Sequence, residues 1–144
     1  MINFLNDITG GHLLLWKVVL TSIVFALAGL QVAMAARFWG GPALIAMSPG
    51  TAVRVHRVSG RLALTLGVLV ALTCIVGPAG PLSPTRVALH SLFGILAFTV
   101  LAVKFLLIKV LRQGDSVLPL IGSLLFLTFA AIWATSVADY VAAK

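Results

Sequence analysis

Residues 55–67 read VHRVSGRLALTLG, one histidine and two arginines at the head of a run that is otherwise apolar. Followed outward, the run extends from Ala52 to Val76. That is enough helix to cross the roughly 30 Å of hydrocarbon in a bilayer, which takes on the order of 20 residues. Reading it as a membrane helix decides the fold, because the pattern recurs. Apolar runs of spanning length fall at roughly Leu13 to Arg37, Ala52 to Val76, Thr85 to Leu111 and Leu118 to Val141.

The composition agrees. Of 144 residues, 61% are hydrophobic and 9% charged, and the mean hydropathy of +1.17 lies outside the range of soluble globular domains. The segments between the runs are short and rich in helix breakers: WGGPALIAMSPG from Trp39, GPAGPLSP from Gly77 and RQGDSV from Arg112. Short connections make consecutive helices antiparallel neighbours, so residues 1–144 are predicted to form one all-α integral membrane domain, an up-down-up-down four-helix bundle. Ala33, Met34 and Ala35 imitate a signal-peptidase site, but MINFLNDITGGH carries no positive segment ahead of the first apolar run. That run is read as a permanent helix.

The net charge of +7 would suggest a nucleic-acid partner in a soluble protein; in a membrane protein its distribution matters more. With alternating helices, Arg37, Arg54, Arg57, Arg61, Lys104, Lys109 and Arg112 fall on one side, and Lys17, Arg86 and Lys144 on the other. The richer side is expected in the cytoplasm, with both termini outside. The expected partner is the lipid bilayer, and nucleic acid is not expected. Trp16 and Trp39 are placed as interfacial anchors and Trp133 lies deeper. Asp139 and Tyr140 close the fourth helix on the outer side.

Each of two histidines precedes a glycine by four positions, His56 with Gly60 and His90 with Gly94. Residues four apart share a helix face, and a glycine there leaves room for a flat ligand beside the backbone, which suits a porphyrin bound through the histidine. Ionisable groups inside a bilayer are costly unless paired or ligated, so both are candidate functional residues. The alternative for each is a neutral imidazole hydrogen-bonded to a neighbouring helix or snorkelling to the headgroups. The second helix runs outward and the third inward, so the two histidines differ in depth by roughly 20 to 25 Å and cannot share one iron. Two haem sites are therefore expected, one per leaflet. Met34 is the candidate second ligand at the inner level and His12 at the outer, with Cys74 ranked below His12. A homodimer with its two-fold axis along the membrane normal would instead pair each histidine with its copy. Arg61, deeper than Arg57, is the candidate for a haem propionate or a lipid phosphate.

The stretches HRVSGR at His56, Cys74, HSLFG at His90, Lys104, LPLIGS at Leu118 and WATS at Trp133 resemble a bacterial family of four-helix membrane proteins of unknown function, from Leu14 onward. That resemblance implies a multi-pass protein of the bacterial inner membrane. More distantly, the HxxxG pairs look like those of cytochrome b561 and ferric-reductase-like proteins. By that resemblance His56 and His90 would each hold a b haem, and the chain would be an electron-transfer, oxidoreductase-type subunit working with a quinone or a redox partner. The other readings are a haem-free accessory or anchoring subunit of a larger membrane complex, and a transporter. The central segments ALTLGVLVAL and FGILAFTVLAV offer a transporter only hydroxyls and glycines. No zinc-type Cys/His spacing, paired carboxylates or phosphate-cradling glycine loop is present.

Overall fold

The computed structural model describes residues 3, 7–40, 45–77, 83–111 and 117–142. Four helices are long and apolar enough to cross a membrane: α1 (Leu13–Phe38), α2 (Pro49–Val76), α3 (Pro84–Leu106) and α4 (Leu118–Ala142), with α3 prolonged by a π-helical turn over Leu107–Leu111. Among the described residues there is no strand. The centres of the turns, 41–44, 78–82 and 112–116 with Arg112, lie outside the described residues, as does Lys144.

The helices start where local chemistry directs. Helix α2 begins three residues earlier than its hydropathy suggests, because Ser48 caps it: the Ser48 hydroxyl accepts from the Thr51 amide at 3.2 Å, and Pro49 takes the first helical position. Ser83 and Pro84 begin α3 in the same way, although Ser83 makes no side-chain cap bond. Trp16 and Trp39 are exposed at the two ends of α1, roughly 34 Å apart along its axis. That spacing suits the two interfaces of a bilayer.

Large apolar residues are exposed along every helix, among them Ile75 at 80% and Leu120 at 70%, a surface that only lipid or another apolar partner can cover. The packed seams are narrow. Helix α1 is central and packs on α2 and α4, and α4 also packs on α3. On the α1–α4 seam, Phe25 stacks on Phe126 and on Trp133, with ring centroids 5.5 and 5.2 Å apart. The Trp133 indole N–H donates to Ser22 Oγ at 3.1 Å. On the α1–α2 seam, the residues that α2 buries are mostly small, Ala52, Ser59 and Ala63.

One expectation needs refinement. Consecutive helices were expected to be neighbours, yet α2 and α3 barely touch. In space the order is α2, α1, α4, α3, an arc with an open side. The short Gly77–Ser83 connection keeps the two helices antiparallel, but their facing surfaces carry Gly67, Ala71 and Cys74 on α2 and Gly94 and Ala97 on α3, which leave space between them.

Candidate functional site

That space is a cleft of about 1260 Å³ walled by all four helices. It exceeds the several hundred cubic ångströms usual for a pocket holding one drug-sized molecule. On α3 its lining runs from Arg86 to Ala102, a rise of roughly 24 Å, so it follows most of the bilayer thickness. Val68, Ile95 and Phe98 both line it and are exposed, which puts its mouth sideways, toward lipid. Polar residues gather at the end where α1 and α3 begin: Lys17, Arg86, His90, Ser136 and Tyr140. Farther in, the walls are almost wholly apolar.

His90 is half-buried in α3 and lines this cleft. Its Nδ1 lies 3.2 Å from Thr135 Oγ1 and 3.1 Å from Ser136 Oγ on α4. Both hydroxyls already donate to carbonyls of their own helix, Thr135 to Ala131 at 2.8 Å and Ser136 to Ile132 at 2.6 Å. With both hydroxyl protons kept in those bonds, the matching tautomer is the one in which Nδ1–H donates to the two oxygens and Nε2 keeps its lone pair. The hydrogen-bonded alternative is thus realised at Nδ1. One turn on, Gly94 also lines the cleft, and a Cβ built there meets nothing within 4 Å.

The inner pair is built differently. His56 is half-buried near the start of α2, with Phe38 of α1 edge-on to its ring at 5.6 Å. Its carbonyl accepts from Gln31 Nε2 at 2.7 Å, the same amide donates to Ser59 Oγ, and the imidazole Nδ1 is buried without a hydrogen-bond partner. The room beside Gly60 is taken by Gln31, whose Oε1 lies 3.1 Å from a Cβ built on that glycine. Here the missing side chain admits a polar contact from α1. His56, Gly60 and Arg61 are all outside the cleft lining.

The remaining candidates separate in the same way. Met34 is only 1% exposed and belongs to the interior. His12 is exposed at the N-cap of α1, where its side chain makes no cap bond. Neither lines the cleft, whereas Cys74 does. Arg61 is exposed and lines a separate hollow with Arg54 and Arg57. Lys17 reaches the end of α2, its Nζ 3.0 Å from the position a Cβ on Gly77 would take. Among the described residues no three His, Cys, Asp or Glu side chains cluster as a metal centre. Sequence reading missed Gln31, although one amide in a long apolar run is a signal for an interhelical bond. It also missed Thr135 and Ser136 as partners of His90, because nothing in sequence relates residues 45 and 46 positions apart.

These features define a class, a four-helix membrane bundle with a lipid-facing cleft and one imidazole in its lining. Over residues 7–144 the chain matches a family described as a family of unknown function, DUF6529, and it belongs to that family. No curated protein and no solved structure matches it.

Proposed function

We propose that this chain is a membrane electron-transfer protein that holds a b-type haem in the cleft between α2 and α3, with His90 as an iron ligand. The observation that carries the reading is the setting of His90: its Nδ1 lies against two hydroxyls of α4, and the ring lines a cleft where Gly94 leaves open space, so that Nδ1–H held there would leave Nε2 for a ligand. Metal-binding histidines are generally held by such a bond at the other ring nitrogen, which sets tautomer and orientation. A haem in this place would supply one-electron exchange between ferric and ferrous iron. The chain's part is to fix the imidazole through Thr135 and Ser136 and to exclude water with apolar walls. Lys17 and Arg86 place positive charge at the outer end, where acidic groups of a porphyrin would find it. The same inference is not extended to His56, since Gln31 occupies the space beside Gly60.

The reading places the arginine-rich end in the cytoplasm of a bacterium, the bundle in its inner membrane, and a membrane quinol or a redox subunit as electron donor. A second reading, a haem-free accessory subunit, is favoured by one observation: the open side between α2 and α3 has the shape of a seat for a neighbouring protein's helix. Oxidised and dithionite-reduced spectra of the detergent-purified chain, with a pyridine haemochromogen count, decide between them. About one haem per chain is expected. A protein that stays colourless after expression with added haem overturns the electron-transfer reading in favour of the accessory one.

A further inference from the structure

Arg54, Arg57 and Arg61 are three and four residues apart on α2 and so share one stripe of the helix. The stripe lies opposite Ala52, Ser59, Ala63 and Val70, the residues buried on the side facing α1. All three arginines are exposed, and they surround a shallow hollow of about 360 Å³ completed by Gly50, Val53 and Val58. None of the three side chains bonds to a described residue.

Their depth identifies the partner. Measured inward from Val76 at 1.5 Å per residue, Arg61, Arg57 and Arg54 lie at roughly 22, 28 and 33 Å. The row therefore crosses the edge of a hydrocarbon layer about 30 Å thick. Arg61 is inside that edge by about the length of its own side chain and must extend its guanidinium toward the headgroups. A soluble acidic protein or a nucleic acid would stop at Arg54, whereas a phosphate anchored in the bilayer sits at the depth where all three guanidiniums converge. Along the same stripe the exposed side chains become apolar, Val68, Leu72 and Ile75, which offers an acyl chain a path beneath the phosphate.

We propose that Arg54, Arg57 and Arg61 form a binding site for the phosphate of an anionic phospholipid in the leaflet at the α2 N-terminal end. Arginine suits it because a guanidinium donates two parallel N–H bonds to phosphate oxygens. The arginine hollow shares no residue with the cleft lining, so phosphate binding there does not depend on what occupies the cleft, although the acyl path passes Val68 and Ile75 at its mouth.

The test is native mass spectrometry of the full chain, delipidated in detergent and offered phosphatidylglycerol, phosphatidylcholine or soluble glycerophosphate in separate arms. Phosphatidylglycerol adducts are expected on the wild type, weakened about 100-fold in R54Q/R57Q/R61Q and about fivefold in R61Q, with phosphatidylcholine adducts weak throughout. Circular dichroism checks that each variant folds, and R61Q supplies the answer if the triple variant does not. Equal binding of the two lipids, or unchanged phosphatidylglycerol binding in R61Q, overturns the proposal. Glycerophosphate binding as tight as that of the intact lipid also overturns it, by showing a site for free phosphate.

Discussion

The two HxxxG pairs are nearly the same in sequence and different in the folded chain. At the outer pair, His90 is held by hydroxyls from α4 on one edge and faces a cleft on the other, and Gly94 borders empty space. At the inner pair, the space beside Gly60 is filled by Gln31. The same local pattern gives an open cleft wall in one place and a tight helix seam in the other. The difference comes from the neighbours: α2 has α1 packed along it at Gly60, while α3 has no helix across from it where the cleft opens. Gly60 serves the close approach of a side chain, a common use of small residues in membranes.

The sharpest way to break this contrast is at the histidines. His90→Ala is expected to abolish the haem spectrum of the purified protein, and His56→Ala to leave it unchanged; equal losses from the two would erase the distinction between the pairs. Next come the glycines. Gly94→Leu adds a side chain to the cleft wall at a position where its Cβ meets nothing within 4 Å, so helicity and thermal stability should hold while haem content falls. Gly60→Leu should instead lower stability by about 1 to 3 kcal/mol through overpacking against Gln31, with haem per folded chain unaltered.

The hydrogen bonds to His90 give a finer probe. Thr135→Val with Ser136→Ala frees Nδ1 and should weaken haem retention about 10- to 100-fold, measured as transfer of haem to an apo-acceptor protein. An unchanged rate would mean that α4 does not orient the ring. The smallest effect belongs to the inner seam. Gln31→Leu removes both its bonds to α2 and should cost about 1 kcal/mol in reversible unfolding in bilayer-mimetic micelles, with no change in absorption.

Much of the architecture was readable from the chain. Hydropathy gave four spans, and four helices are long and apolar enough to cross a membrane, because a helix with satisfied backbone bonds is the available solution for such a run in lipid. The early start of α2 was the main discrepancy: Ser48 and Pro49 set that end by capping, to which hydropathy is blind. The site was readable in part. His90 and Gly94 stood out because an ionisable residue in an apolar run is costly and a glycine one turn on shares its face. His56 and Gly60 stood out for the same reasons, and the pattern held nothing to separate the pairs.

What the sequence determined by itself is therefore one-dimensional: how many helices cross the membrane, which end carries the arginines, and at what depth each polar residue lies. Rise per residue and the cost of charge in hydrocarbon decide these with no knowledge of neighbours. Only the tertiary structure decided that α2 and α3 stand apart, that Gln31 fills the space at Gly60, and that Thr135 and Ser136 hold Nδ1 of His90. Those outcomes depend on which helix faces meet. With lipid as apolar as the side chains it replaces, hydropathy cannot rank one helix face against another, and the choice falls to close packing and a few interhelical hydrogen bonds.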